Sequence, residues 1–219
     1  GYALEFDGED DYVATYNQVM PSSGEFTVEI WVIGVDNGGG YSNIISAGIG
    51  DDNFFIGKEP GSTIRVKNWN GITSYPHGDW INLSFVQTTN NAYLFINGAK
   101  YEQGFPIDYS VQEGVLNIGR QASNSMEYWD GSIDQIRISD IARYTEDYSS
   151  NFEFNFTNDE NTIALWNLNE GDGETVYDQT ENGNDGTIYG ATWVESPFSS
   201  LPSEWLTLSD STLNIPPGE

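Results

Sequence analysis

Cysteine is absent from this 219-residue sequence, and histidine occurs once, as His77. Without cysteine the chain can form no disulfide bond, no thiolate zinc site and no iron–sulfur cluster, and it has no cysteine nucleophile. A single histidine also excludes metal sites built from several imidazoles. The metal chemistry that remains is that of carboxylate, amide and hydroxyl oxygens, which hard cations such as calcium prefer.

Basic residues are scarce as well, since three lysines and four arginines face 34 aspartates and glutamates, for a formal net charge of −27. Phosphate binding needs clustered lysine and arginine, so nucleic acid and anionic membrane surfaces are excluded as partners. No run approaches the roughly 18 apolar residues of a membrane-spanning helix, so we expect no membrane insertion. The acidic excess fits a soluble secreted surface, calcium binding or a saline habitat, and composition does not separate these.

Apolar and polar residues alternate along most of the chain, which is typical of strands with one buried and one solvated face. Residues 26–32 and 79–86 show this alternation throughout. The pair Asn97-Gly98 lies between two apolar runs and predicts a hairpin with a two-residue type I′ turn, which needs positive φ at both positions. Residues 140–148 are the least strand-like, and for them we predict one short helical turn.

Many short strands, glycine-rich turns and 14% aromatic residues predict an all-β fold, namely a two-sheet antiparallel sandwich or jelly roll. A chain of this length buries a core of that kind without disulfides. Trp31, Trp80 and Trp166 fall in predicted strands, where packing is a better explanation than ligand binding. Arg137 lies on an alternating strand, and we expect it to pair with a carboxylate across the sheet.

The composition changes near residue 196. Residues 196–203 are rich in serine and proline and are predicted to form a linker. Residues 204–219 contain two short alternating runs with too few residues for a core of their own. We expect this tail either to pack on the main domain or a neighbour, or to begin a further domain.

Three groups of segments carry a resemblance to a known family. They are residues 3–13 with 26–32; residues 80–85, 97–98, 116–120 and 129–138; and residues 163–171, 176–178 and 182–193. In this order they resemble the laminin-G-like domains of the concanavalin A-like lectin/glucanase superfamily, in the form found in secreted bacterial proteins. The resemblance covers residues 1–195 and implies a jelly roll, secreted or at the cell surface, with a role in carbohydrate binding or adhesion.

The loop 178–186 concentrates oxygen-bearing side chains between glycines, which suits calcium with its six to eight oxygen ligands. In the domains that the chain resembles, the aspartate of this loop and the asparagine of the following turn are calcium ligands. The resemblance therefore implies calcium-binding roles for Asp178 and Asn184. We expect such an ion to be structural, stabilising a loop in a domain that has no disulfides.

Three further residues of the loop extend this prediction. Asn182 and Gly183 could supply carbonyl oxygens, and Asp185 could be a ligand or could cap the turn. The alternative is a loop of Asx turns that binds no metal. A second acidic cluster comprises Asp7, Asp10 and Asp11, for which a solvated turn between strands is the favoured interpretation.

The same fold also hosts glycoside hydrolases and polysaccharide lyases, so the fold alone does not decide whether the chain is an enzyme. The Glu-x-Asp-x-x-Glu arrangement of family 16 glycoside hydrolases is absent, and Glu25 and Glu29 do not match it. His77 precedes a strand with no nucleophile elbow nearby, and we interpret it as a surface loop residue. We therefore predict that the domain is not an enzyme and has no catalytic residues.

Carbohydrate-binding modules stack exposed aromatic rings on sugar faces and bond the hydroxyl groups through nearby polar side chains. The loop residues that suit this role are Trp69, Asn70, Tyr75, Tyr128 and Trp129. The alternative for each ring is packing over its own loop. A rival function is that of a structural subunit in an extracellular fibre or filament, whose tail strand adds to a neighbour's sheet edge. The predicted partners are therefore a glycan or polysaccharide, or neighbouring subunits.

Overall fold

The computed structural model describes residues 1–21, 24–35, 40–48, 54–67, 69–104, 114–123, 126–149 and 155–196. The all-β prediction is confirmed, since these residues form strands and no α-helix. In chain order the strands are β1 (Tyr2–Asp7), β2 (Tyr12–Thr15), β3 (Phe26–Gly34), β4 (Ser42–Ala47), β5 (Phe54–Glu59), β6 (Thr63–Val66), β7 (Ile81–Gln87), β8 (Ala92–Ile96), β9 (Ala99–Gly104), β10 (Leu116–Ile118), β11 (Asp130–Ser139), β12 (Thr162–Trp166), β13 (Thr175–Val176), β14 (Gly186–Tyr189) and β15 (Thr192–Glu195). Within the described ranges there is accordingly no helix that could cross a membrane.

The strands form two antiparallel sheets. Sheet A has the order β15-β1-β11-β3-β7-β8-β9, and β12 pairs with β11 as a branch. Sheet B has the order β13-β14-β2-β10-β4-β5-β6. Several neighbours, such as β1 with β11 and β2 with β14, come from distant parts of the sequence, as in a jelly roll, whereas β4-β5-β6 and β7-β8-β9 are consecutive along the chain.

The core lies between the two sheets. Alternate side chains of each strand point inward, as the hydrophobic pattern predicts. Phe26 of sheet A meets Phe54 of sheet B edge-on with ring centroids 5.9 Å apart, and Phe85 of sheet A lies 5.5 Å from Phe54. Trp31 and Trp166 are fully buried, as predicted, whereas Trp80 directly precedes β7 and is half-buried.

The hairpin prediction at Asn97-Gly98 is confirmed. Strands β8 and β9 pair on either side of the turn. Asn97 has φ 49° and Gly98 has φ 73°, the positive values that a type I′ turn requires. The turn also packs closely on the following segment, because a Cβ at Gly98 would lie 2.8 Å from the backbone of Ser149.

The prediction of a helical turn at residues 140–148 is wrong. This segment instead runs as an irregular strap over the outer face of sheet A. The rings of Tyr144 and Tyr148 stack there with centroids 3.7 Å apart, and the Tyr148 hydroxyl lies 2.7 Å from Ser84 Oγ on β7. Packing of the two rings on the sheet holds the segment in place without helical hydrogen bonds.

The strap covers a buried ion pair on sheet A. Arg137 of β11 pairs across the strands with Glu29 of β3, as predicted for the arginine. The guanidinium donates two bonds to the carboxylate, of 2.6 and 3.0 Å, and both side chains are 2% exposed. The Tyr144 hydroxyl donates a further bond of 3.0 Å to Glu29. The carboxylate partner of Arg137, which the sequence alone did not identify, is therefore Glu29.

A second buried carboxylate is held mainly by neutral donors, and the positive charge of the chain's amino terminus also acts on it. Asp134 of β11 is 3% exposed, and its carboxylate accepts hydrogen bonds from the Ser196 hydroxyl at 2.6 Å and the Gln135 amide at 2.7 Å. Burial raises the pKa of Asp134 to about 6, and these hydrogen bonds oppose the rise only in part. The native fold therefore favours the protonated carboxyl group.

We expect Asp134 to make the protein less stable as the pH rises from about 4 to about 6. Between the unfolded and folded pKa values the native state binds a proton that the unfolded state has lost, so the free energy of unfolding falls through this window and then levels off. The shift corresponds to about 3 kcal/mol. Urea unfolding of the wild type and Asp134→Asn at several pH values measures it. The free energy of unfolding of Asp134→Asn should not show this fall. If it changes with pH as steeply as that of the wild type, the assignment to Asp134 is contradicted.

Candidate functional site

Two of the predicted sugar-stacking residues are buried. Tyr75 is 3% exposed and Trp129 is 1% exposed, and their rings pack edge-on with centroids 5.5 Å apart. Both lie so close to Gly34 that a Cβ there would collide with the Trp129 ring. The prediction that these two rings are exposed is therefore wrong, because loop aromatics fold into the corner of the sandwich and bury their apolar surface.

The remaining members of that predicted set are more exposed than these two rings. Trp69 is half-buried, and its ring packs edge-on against Phe85 with centroids 6.1 Å apart. Asn70 beside it is exposed, and Tyr128 is half-buried. Much of the Trp69 side chain is thus packed against protein, which favours the alternative that this ring has a packing role.

The predicted calcium loop is organised around Asp178. Its Oδ1 accepts bonds from the amides of Leu165 at 3.1 Å and Thr180 at 3.0 Å. Its Oδ2 accepts bonds from the Thr180 hydroxyl at 2.8 Å and the Asn184 amide at 2.9 Å. Three of these four hydrogen bonds order the loop itself, and the one from Leu165 connects it to strand β12.

The other predicted ligands of this loop are also engaged with protein groups. The side-chain amides of Asn182 and Asn184 both donate to the carbonyl of Ile163, at 2.8 and 3.0 Å. The carbonyl of Gly183 accepts a bond from Asn17, and Asp185 Oδ1 accepts one from the Asp178 amide. The structure brings all five residues together, in the internally bonded pattern of an Asx-turn loop.

Carboxylates converge at the other acidic loop. The side-chain oxygens of Asp7, Asp10 and Asp11 come within 4.8 Å of one another, the single group of three potential ligands in the described ranges. Asp11 is 7% exposed and accepts a bond of 3.0 Å from the Asp7 amide. Burial raises the pKa of Asp11, and the neighbouring charges of Asp7 and Asp10 add to the rise. This turn is thus only partly solvated, unlike the prediction.

The outer face of sheet B carries tyrosines on two neighbouring strands. Across neighbouring strands Thr187 pairs with Ala14, and Ala14 pairs with Asn117. Tyr12 and Tyr16 lie two residues to either side of Ala14, on the same face of the chain. The small Ala14 side chain lies between them. We call this surface the tyrosine groove, and its residues are Tyr12, Ala14, Tyr16, Asn117, Thr187 and Tyr189.

The rings of the tyrosine groove are both accessible and held in place. Tyr16 is 74% exposed and Tyr189 is 42% exposed. Tyr189 stacks on Tyr12, with centroids 4.4 Å apart and planes 12° from parallel. The Tyr16 hydroxyl lies 2.7 Å from Thr187 Oγ1. Pre-ordered rings of this kind contact an apolar ligand face without losing much conformational freedom on binding.

Polar groups of the groove are ordered by one arginine. The guanidinium of Arg120 lies over the Tyr12 ring, 3.3 Å from its centroid, and donates a bond of 2.9 Å to Asn117 Oδ1. The groove therefore presents a guanidinium and several hydroxyl groups beside aromatic rings, and the buried amide of Asn117 orients the guanidinium. These groups match the alternation of C–H faces and hydroxyl groups on a sugar.

Acidic loops border both ends of the groove. At one end Asn17 donates a bond of 3.2 Å to the carbonyl of Gly183, within the Asp178 loop. At the other end Gly190 packs directly on the carboxylate of Asp11. With a net charge of −27 on the chain, this arrangement disfavours an anionic ligand.

The sequence contained a signal for this groove that loop-based reasoning missed. Tyr12 and Tyr16 lie four residues apart around a strand whose inward residue Val13 is buried. On a strand, that spacing places two rings on the same outer face. The partner ring Tyr189 belongs to a strand distant in sequence, and only the pairing of β14 with β2 brings it alongside.

The two-sheet sandwich is that of a lectin-like domain. Residues 7–149 match a laminin-G-like family described as the concanavalin A-like lectin/glucanases superfamily. The chain therefore belongs to this superfamily, which confirms the resemblance seen in the sequence. No curated protein matches the chain.

Solved structures resemble this chain at low sequence identity. A protein from Bacteroides ovatus, assigned provisionally to carbohydrate binding, is 17% identical with a TM-score of 0.68, over 88% of this chain and 59% of that one. Domain 4 of an extracellular family 43 arabinanase from Geobacillus stearothermophilus, in complex with arabinotriose, is 20% identical with a TM-score of 0.50, over 64% and 71%. Domains LG4-5 of the mouse laminin α1 chain are 14% identical with a TM-score of 0.48, over 67% and 45%. This chain thus spans 59% of the first of these structures.

Proposed function

We propose that this domain is a non-catalytic, extracellular carbohydrate-binding module that binds neutral glycans along the tyrosine groove. The observation that carries the proposal is the pair of exposed rings, Tyr16 and Tyr189, set beside ordered polar groups on one sheet of a lectin-like fold. A sugar ring stacks on the tyrosines while its hydroxyl groups bond Thr187 and Arg120. The fold is shared with proteins assigned to carbohydrate binding, which supports the class of ligand.

The absence of a catalytic arrangement in the groove supports a binding role. Hydrolysis by a retaining glycosidase needs two carboxylates about 5 Å apart at the scissile bond. The described residues that line the groove include no carboxylate, and its polar groups are amide, guanidinium and hydroxyl groups. The fibre-subunit alternative depends on residues 204–219, which lie outside the described residues.

We expect the domain to bind neutral polysaccharides and to release no sugar from them. The measurement is a glycan array with neutral and acidic glycans, followed by incubation of the bound polysaccharides and an assay for new reducing ends. Binding limited to uronic acid or sulfated glycans would contradict the electrostatic argument. New reducing ends would contradict the non-catalytic role.

We further propose that the domain binds a stabilising calcium ion. The acidic, oxygen-rich loops of a disulfide-free domain supply suitable ligands, and their convergent carboxylates lie at Asp7, Asp10 and Asp11. The Asp178 loop uses its carboxylate oxygens for hydrogen bonds within the protein. The loop with Asp7, Asp10 and Asp11 is therefore the better site for an ion that is bound through several carboxylates.

Calcium should raise the melting temperature of the protein, and a chelator should lower it again, because an ion bound only by the native state stabilises that state. Asp10→Asn should abolish the rise. Glu9→Gln, an exposed neighbour outside the cluster, should retain it. A calcium-dependent rise that survives Asp10→Asn would place the ion elsewhere, and no rise in the wild type would refute calcium binding.

A further inference from the structure

A cavity of about 390 Å³ opens on the outer face of sheet A, on the opposite side of the sandwich from the tyrosine groove. Strand register places three of its residues in one row, because Glu5 of β1 pairs with Ser132 of β11, and Ser132 pairs with Ile33 of β3. His77 and Val35 complete the side-chain lining, and glycine backbone forms the rest. The volume falls within the range of small-molecule sites.

His77 is the unusual member of this cavity. Both of its ring nitrogens are buried, and neither has a hydrogen-bond partner among the described residues. His77 does lie in a surface loop, as expected, but the residue is half-buried and its ring nitrogens are covered by protein. His77 lines the cavity while both of its nitrogens are covered, so these two polar atoms lie against protein that offers them no partner among the described residues. Buried polar groups without partners are costly and rare in native folds.

The same corner holds two more polar groups without partners. The Tyr75 ring lies 5.3 Å from the His77 ring and 5.5 Å from the Trp129 ring. The Tyr75 hydroxyl and Trp129 Nε1 are buried and unpartnered, and the nearby Gly34 amide approaches Tyr75 without reaching hydrogen-bond geometry. Four of the nine unpartnered buried side-chain atoms in the described ranges thus belong to three rings in contact. This concentration marks the corner as unlike the rest of the fold.

We infer that this cavity is a second binding site, which takes a single neutral sugar residue while the imidazole of His77 turns to meet it. The choice of ligand class rests on the proposed function. The location rests on the cavity and on the unpartnered imidazole. Rotation about the Cβ–Cγ bond brings a ring nitrogen to the cavity, where a ligand hydroxyl group bonds it.

The cavity chemistry matches a polyol rather than an ion. A neutral imidazole offers one donor and one acceptor, a serine hydroxyl group offers both, and a carboxylate only accepts. Sugar hydroxyl groups donate and accept, so they pair with His77, Ser132 and Glu5 alike. Ile33 and Val35 provide apolar walls for the C–H face of the ring. Glu5 and the net charge of −27 disfavour a sugar that carries a carboxylate or sulfate.

The single histidine of the chain makes the test specific, because one imidazole gives one set of ring signals in a ¹H–¹³C or ¹H–¹⁵N spectrum. The probes are D-glucose, D-galactose, D-mannose and L-arabinose, each titrated into the full-length protein. We expect at least one sugar to shift the His77 signals saturably. Ser132→Val, which fills the cavity and removes a hydroxyl group, should weaken that response at least tenfold. Thr192→Val, an exposed residue of the same sheet that does not line the cavity, should preserve it.

The outcomes separate this inference from the groove. A His77 signal that none of the four sugars moves, or that responds equally in Ser132→Val, overturns the cavity site and leaves the proposed function intact. A saturable His77 response that Ser132→Val removes and Tyr189→Ala retains supports it. If Tyr189→Ala leaves polysaccharide binding unchanged while the His77 response is still lost in Ser132→Val, that combination supports the cavity site and contradicts the groove as the polysaccharide site.

Discussion

Replacement of Arg137 with methionine is expected to lower the free energy of unfolding by about 3 kcal/mol, because it removes the closer of two cations beside the buried Glu29 carboxylate and leaves only Arg143 Nε, 3.8 Å away. The pair is 2% exposed on both sides and is joined by two hydrogen bonds. The Tyr144 hydroxyl would remain the closest donor to the carboxylate. Urea unfolding at neutral pH measures the loss.

The matched control replaces both partners. Arg137→Met combined with Glu29→Leu removes the charge and its counter-charge together, and a buried pair replaced by apolar groups is often close to neutral in stability. The double variant should therefore be more stable than the single variant. If the loss in free energy of unfolding for the double variant equals the sum of the losses for the two single variants, the two charges do not interact as described.

Asp178→Ala is expected to destabilise the protein by about 3–4 kcal/mol without any metal being involved. The carboxylate accepts four hydrogen bonds, three of them from the backbone amides of Leu165, Thr180 and Asn184, and these donors would lose their partner. The loop is also tied to the core, because Trp166 Nε1 donates a bond of 3.0 Å to the Asn184 carbonyl. Thermal or urea unfolding in the presence of a chelator measures the effect.

Two variants make this result interpretable. Asp178→Asn keeps one acceptor oxygen and should lose roughly half as much. Asp172→Ala removes an exposed acid in the preceding turn and should change stability by less than about 0.5 kcal/mol. If Asp178→Ala lowers the free energy of unfolding by less than about 1 kcal/mol in the presence of a chelator, the four hydrogen bonds are not what orders the loop. That result would favour a role for Asp178 as a metal ligand.

The strand architecture was predictable because burial between two sheets leaves a period of two in the sequence. The Asn97-Gly98 turn was predictable because only a few residue pairs adopt positive φ twice in succession. Arg137 was expected to pair, but its partner Glu29 lies 108 residues away, and only the sheet topology brings the two together. Sequence position alone carries no information about that register.

The candidate sites were predictable only in part. Tyr75 and Trp129 resemble exposed loop aromatics in sequence, and their burial depends on a corner formed by Gly34. The Asp178 loop was identified as an ordered, oxygen-rich loop, but spacing could not tell whether its oxygens face backbone amides or an ion. The tyrosine groove requires the pairing of β2 with β14, which places Tyr189 beside Tyr12 although the two are far apart in the chain.

The measurement that tests the central claim most directly is calorimetric titration of the best neutral glycan from the array into three proteins. Tyr16→Ala combined with Tyr189→Ala should weaken binding at least tenfold, about 1.4 kcal/mol, because both stacking rings are lost. Tyr101→Ala removes a ring of similar exposure, 52%, on strand β9 of the other sheet and should bind as the wild type does. A double variant that binds with wild-type affinity would contradict the groove as the glycan site.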